Sequence, residues 1–155
     1  MYEGEAVDVA FRFVEAINRR DLAAVDRLMT ADHVFVDPSG ERYEGQATMR
    51  EGWAEYFDRY PNYMIHIHEV YLETDIVLLA GRTTGSHLGL PRIDEFRDPV
   101  IWVARVRDSR LSEWRVVLDE DEARRQWNIN PSTRLVWFRG AGSSGRFPTC
   151  CALRA

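Results

Sequence analysis

Leu28-Met29-Thr30-Ala31-Asp32-His33-Val34-Phe35-Val36-Asp37-Pro38-Ser39-Gly40 is the stretch on which the fold turns, because the periodicity changes within it. Before it, apolar residues recur every three or four positions. Ala6, Val7, Ala10, Phe11, Val14 and Ile17 share one face of a helix, with Phe13 beside the stripe. Asn18-Arg19-Arg20-Asp21 interrupts that pattern. Asp21 is placed to cap a short second helix whose apolar side is Leu22, Val25, Leu28 and Met29. From Ala31 to Asp37 the helical period is lost and β-branched and aromatic residues, Val34, Phe35 and Val36, predict a short strand. Pro38-Ser39-Gly40 ends that strand in a turn.

Working outward, Gly45 precedes a third helix over 46–59, with Met49, Trp53, Tyr56 and Phe57 on one side and Pro61 as its stop. Beyond it the pattern is mostly strand, over 63–73, 76–87, 99–107 and 111–119. Thr74-Asp75 and Arg107-Asp108-Ser109-Arg110 read as tight connections between antiparallel neighbours, and 88–98 as a longer loop. Helices followed by a run of strands give an α+β domain. The expected architecture is N-terminal helices packed in a strongly curved, mostly antiparallel sheet, a cone-shaped α+β barrel around an apolar pocket. The domain is expected to span 1–127, with 128–155 as a flexible C-terminal tail. Gly140-Ala141-Gly142-Ser143-Ser144-Gly145 has linker composition, and Val136-Trp137-Phe138 is the tail's one apolar cluster.

Composition narrows the function. A net charge of −5, with scattered basic residues, argues against a nucleic-acid surface, which needs clustered Lys and Arg. No apolar run approaches the roughly 20 residues of a membrane span. The acidic start Met1-Tyr2-Glu3-Gly4-Glu5 lacks the features of a secretory signal, so the cytoplasm is the expected location. Cys150 and Cys151 are adjacent and form neither a disulfide framework nor a metal spacing. His66 and His68 have metal-ligand spacing on one strand face with Met64 and Val70, but no third ligand is evident, and no metal or organic cofactor is expected.

Four local motifs carry a family likeness: Phe13-Val14-Glu15-Ala16-Ile17-Asn18 followed by Asp21-Leu22; Leu28 to Val34 leading to Asp37-Pro38-Ser39-Gly40; Tyr43-Glu44-Gly45 before Met49-Arg50-Glu51; and Leu111-Ser112-Glu113-Trp114-Arg115 running to Asp119. In this order they resemble the SnoaL-like branch of the NTF2-like superfamily, over roughly residues 6 to 127. Asp37-Pro38 resembles the base-carrying Asp-Pro of ketosteroid isomerase. The position matching that enzyme's Tyr is Phe13, and the one matching its second Asp falls at Val100 or Ile101. Both oxyanion donors are therefore absent, and with them a large electrostatic contribution. Asp119, followed by Glu122 and Gln126, resembles the end of the last strand in SnoaL-type polyketide cyclases, where an Asp acts as base in an aldol closure.

The resemblance implies a protein with a pocket for a small, mostly apolar organic ligand. It would act as a cofactor-independent isomerase or cyclase moving a proton next to a carbonyl, or else as a non-catalytic ligand-binding or dimerisation module. Asp37 is the expected base, in an apolar setting with a raised pKa, and Asp119 the second carboxylate. Phe13, Ile17, His33, Phe35, Trp53, Tyr56, Phe57 and Trp102 are the expected ligand-binding wall. His33 and Phe35 share parity with Asp37, so the three are expected to face one way. A homodimer is the expected assembly. The competing reading of Asp37 is a turn cap before Pro-Ser-Gly, and that of Asp119 is a solvated acid at a strand end.

Overall fold

In a computed structural model of the chain, residues 3–135 are described. Helix α1 spans Glu3–Asn18 and α2 Leu22–Arg27; then come strand β1 (Met29–Val36), β2 (Arg42–Glu44), α3 (Gln46–Arg59), β3 (Met64–Glu73) and β4 (Ile76–Thr84). The short α4 (Arg92–Glu95), strands β5 (Val100–Arg107) and β6 (Arg110–Leu118), and α5 (Asp121–Gln126) complete the order. The strands form one curved, unclosed sheet in the order β2-β1-β6-β5-β4-β3. All neighbours are antiparallel except β1 and β6, which run parallel with Phe35 opposite Trp114. That parallel pair closes the distance between the first strand and the last. No local pattern in the sequence announces it, because it joins segments some 80 residues apart.

The apolar stripe of α1 does what its spacing predicts. Ala6, Val7, Ala10, Phe11, Val14 and Ile17 are all buried, and so is Phe13. The helix stops where Arg20 adopts a left-handed backbone, at φ 55°. Asn18 then pairs with the sheet: its amide oxygen accepts from Ile65 N–H at 2.8 Å and its amide nitrogen donates to Ile65 O at 3.0 Å. Asp21 caps α2, its carboxylate accepting from Ala24 N–H at 3.1 Å. The β5–β6 connection has Asp108 and Ser109 both at positive φ (53° and 60°), the backbone of a twist-matched hairpin turn.

Register divides the side chains between two faces. The inner face, against α1 and α3, receives Ile65, Ile67, Val70, Val77, Leu79, Trp102, Ala104, Leu111 and Trp114. The outer face receives Tyr71, Leu78, Ala80, Ile101 and Val103, covered by Ile129 and Trp127. A bulge in β3 between Ile67 and Glu69 shifts the parity, so Val70 joins the inner core instead of sharing a face with His66 and His68. Gly81 lies opposite this irregularity. A Cβ there would meet His66 O at 1.9 Å, so only glycine lets the two strands approach.

The chain after 127 is docked on the sheet as far as it is described. Ile129 is buried, Leu72 N–H donates to Thr133 O at 3.0 Å, and Leu135 N–H donates to Val70 O at 3.1 Å. Residues 133–135 thus add a short antiparallel bridge, Tyr71 opposite Arg134, at the edge of β3. The linker at 140–145 and Val136-Trp137-Phe138 lie outside the described residues.

Candidate functional site

Asp37 follows the last residue of β1, where the chain turns away from the inner face. Its Oδ1 accepts from Ser39 N–H at 2.8 Å, from the Ser39 hydroxyl at 2.5 Å and from Glu41 N–H at 3.1 Å. Asp37 N–H donates to Glu41 O and Gly40 N–H to Asp37 O, closing the loop. The Ser39 hydroxyl, helped by the backbone amides of Glu41, Ser39 and Gly40, holds the carboxyl below its ordinary pKa. The expected raised pKa in an apolar setting is therefore corrected. A short acid before Pro-Ser-Gly satisfies local backbone donors first, and the parity followed by His33 and Phe35 ends with the strand.

Asp119 also lies away from the inner core. It receives both nitrogens of a two-pronged Arg124 contact, Nε at 2.6 Å and an Nη at 2.8 Å, and its side chain is 11% exposed. Arg124 lies 3.8 Å from Glu69, which also faces Arg134 at 3.4 Å and accepts the Tyr71 hydroxyl at 2.5 Å. Asp119 raises the Arg124 pKa further, chiefly by hydrogen bonding. This network fastens α5 and the 133–135 segment to the outer face. Arg105 and Arg115 flank the Trp127 ring at 5.9 and 5.7 Å, so that part of the outer face is covered by the chain's own C-terminal segment.

The aromatic wall does assemble. Phe13, Ile17, Trp53, Phe57 and Trp102 lie in the inner core, and Phe35 and Tyr56 pack against it while staying half-buried. Phe13 sits 5.0 Å from Trp114 and 6.2 Å from Trp53, ring centre to ring centre, and Trp102 stacks on Trp114 at 6.4 Å. Phe13 is fully buried in this core, with Trp53, Trp114 and His33 as ring neighbours.

One polar group stands among these rings. His33 is fully buried and its ring centre is 6.2 Å from that of Phe13. Its backbone is fixed by Gly45 N–H donating to His33 O at 2.7 Å. Nδ1 lies 2.7 Å from Leu111 O, and a carbonyl can only accept, so Nδ1 carries the hydrogen. Burial pushes the imidazole pKa down, outweighing the Leu111 carbonyl and the charges of Glu113 and Asp32. The ring is neutral at neutral pH, and Nε2 is a buried acceptor with no partner among the described residues.

At the half-exposed rim a further polar group collects, of which the sequence singled out only Tyr56. The Tyr56 hydroxyl lies 2.9 Å from His87 Nδ1 and accepts His87 N–H at 3.2 Å. Burial raises its pKa to about 12, so the phenol stays protonated. Glu95, from α4, is the one buried acid among the described residues. It accepts from the Thr83 hydroxyl at 3.0 Å and from Ser86 N–H at 3.1 Å. Its sequence context, charged Arg92-Ile93-Asp94-Glu95 in a loop, looks like that of any solvated acid. His66 and His68 face Phe96 at 5.5 and 5.8 Å, and His66 Nε2 lies 3.0 Å from the Thr84 hydroxyl. Among the described residues no three His, Cys, Asp or Glu side chains are grouped to hold a metal ion, and no helix is long and apolar enough to cross a membrane.

With this geometry in view, the SnoaL-like domain model matches residues 10–114, well over half of the chain. The chain belongs to the SnoaL-like domain family. No curated protein matches it. Among solved structures it is similar to an uncharacterized cystatin-fold protein from Novosphingobium aromaticivorans, at 23% identity and TM-score 0.63, covering 72% of this chain and 97% of that one. It is also similar to an LEH-like epoxide hydrolase from M. tuberculosis (19%, TM-score 0.61, 75% and 84% covered). A third is a hypothetical protein of ketosteroid isomerase-like fold from Catenulispora acidiphila, in complex with trimethylamine (19%, TM-score 0.60, 79% and 93% covered). At these identities the likeness establishes the NTF2-like fold, and this SnoaL-like fold family includes isomerases, cyclases and epoxide hydrolases.

Proposed function

We propose that this SnoaL-like domain binds a small, mostly apolar organic molecule at its inner face, between α3 and the curved sheet. The observation that carries the proposal is His33 Nε2, a buried acceptor left without a partner inside an aromatic wall. An unmet buried polar atom costs about 1–3 kcal/mol, and a bound molecule can recover that cost. Phe35, Tyr56, Val100 and Val116 pack on the core yet remain half-buried, so they form the rim by which a ligand reaches it.

A second reading, proton transfer next to a carbonyl as in isomerisation or cyclisation, is favoured by one feature of the same residue. A neutral imidazole held by a backbone carbonyl at Nδ1 is oriented to receive a proton at Nε2. In that version His33 takes the part expected of Asp37.

The binding proposal is tested by thermal unfolding of the full chain against a panel of ring-bearing alcohols, phenols and ketones. A ligand at a hundred times its Kd stabilises by about 2.7 kcal/mol, a rise of roughly 5–10 °C for a domain of this size. No rise with any compound would leave the inner face as a filled core and favour the dimerisation-module reading. Exchange of the hydrogens next to a bound ketone's carbonyl with solvent deuterium, read by NMR, would add the proton-transfer step.

A further inference from the structure

The hydrogen-bond chemistry of His33 restricts which molecules the inner face can take. This inference rests on the ligand-binding reading above. Leu111 O is held on both sides: it lies 2.7 Å from His33 Nδ1 and 3.4 Å from the Thr30 hydroxyl. It cannot donate, so the tautomer of His33 is fixed with the hydrogen on Nδ1 and the lone pair on Nε2. The ring packs near Phe13 from α1, at 6.2 Å, and Trp53 and Trp114 pack in turn on Phe13, while Glu113 and Asp32 act on it through their charges. Among the described residues none donates a hydrogen bond to Nε2.

We propose that the ligand carries a hydroxyl on an otherwise apolar, ring-sized skeleton, a phenol or alcohol, and that this hydroxyl donates to His33 Nε2. A carbonyl or an ether oxygen presented at the same place meets lone pair with lone pair and leaves both groups unsatisfied. Selection between a hydroxyl and its methyl ether is therefore strong, because a site built to hydrogen-bond a group rejects the analogue that lacks it. The skeleton itself contributes little discrimination, since the remaining contacts are apolar.

Three probes of one skeleton separate the possibilities: naphthol, methoxynaphthalene and acetylnaphthalene, titrated calorimetrically into the full wild-type chain. Naphthol is expected to bind about tenfold or more tighter than either analogue. In His33→Phe the preference is expected to disappear, with naphthol and its ether binding alike. Because that variant removes a buried contact to Leu111 and can fail to fold, nitrogen NMR of the wild-type imidazole supplies a second readout. Nε2 is expected to show the shift of an unprotonated ring nitrogen, moving on addition of naphthol and not of the ether. Equal binding of all three probes, or a hydrogen found on Nε2 in the neutral ring, overturns the hydroxyl assignment while leaving the binding reading in place. Failure of all three to bind overturns the binding reading and this inference with it.

Discussion

Replacing Asp37 with Asn separates a pocket base from a turn cap, and the geometry fixes the sign. One carboxylate oxygen accepts three hydrogen bonds, at 2.8, 2.5 and 3.1 Å, from Ser39 and Glu41. Asn keeps an oxygen in the same place and loses the charge that strengthens those bonds. The site is largely open to solvent, so the charge-assisted part is discounted, and the expected cost is about 0.5–1 kcal/mol. For a chain of 155 residues this lowers Tm by about 1–4 °C. The pH dependence provides a second check. The folded carboxyl titrates below its ordinary 3.8, so its stabilisation is present above that value and lost as pH falls through the folded pKa. Wild type and Asp37→Asn should accordingly differ at neutral pH and converge in acid. The assay is thermal unfolding at pH 7 and at a series of values below 4. A rise in Tm of 2 °C or more on neutralising Asp37 would refute the reasoning, because only a carboxylate strained by burial gains from losing its charge.

Three other substitutions probe the rest of the structure. Gly81→Ala should abolish folding or cost more than about 3 kcal/mol, since the new methyl meets His66 O at 1.9 Å across a strand pair that cannot separate locally; a soluble variant with an unchanged Tm would contradict the register. His33→Leu should flatten the acid side of the stability curve. The folded imidazole titrates below its ordinary 6.5, so wild-type stability declines as pH falls below about 6.5, where only the unfolded chain takes up the proton; His68, shifted the same way, keeps part of the slope, which denaturant midpoints between pH 5 and 7 would measure. Arg124→Ala should cost about 1–2 kcal/mol and loosen one region more than the whole: the amides of Leu72 and Leu135 should exchange faster with solvent while those of α1 keep their protection.

Periodic features were legible in the sequence and unpaired chemistry was not. The α1 stripe, the α3 aromatics and the alternation at His33 and Phe35 each predicted a face, and burial places those residues together. The β3 bulge could not be read, since one extra residue reverses parity without leaving a compositional mark, and it put Val70 in the core while His66 and His68 stayed out. The parallel β1–β6 pair and the docking of 128–135 were equally silent, being contacts between distant segments. The partners of the carboxylates were hidden for a different reason. Asp37 and Asp119 stand at strand ends, where family likeness suggests chemistry. In this chain the first is taken up by Ser39 and Glu41 and the second by Arg124, partners whose reach only three-dimensional structure reveals.

The backbone around β1 explains how a polar group can be kept at His33. An inner face lined by rings can keep a buried polar group only where the backbone satisfies one side of it. Phe13 offers no hydroxyl, and Val100 and Ile101 offer no acid, so none of these positions can anchor a hydrogen bond. β1 does offer one. Its parallel partner β6 brings Leu111 O to 2.7 Å from His33 Nδ1, and Gly45 N–H holds the His33 carbonyl. The carbonyl satisfies half of the imidazole and leaves the other half, Nε2, without a partner among the described residues. Keeping a half-satisfied imidazole among Phe13, Trp53 and Trp114 makes physical sense when the missing partner arrives from outside the chain. For that reason the hydroxyl titration, more than any carboxylate substitution, decides what this inner face does.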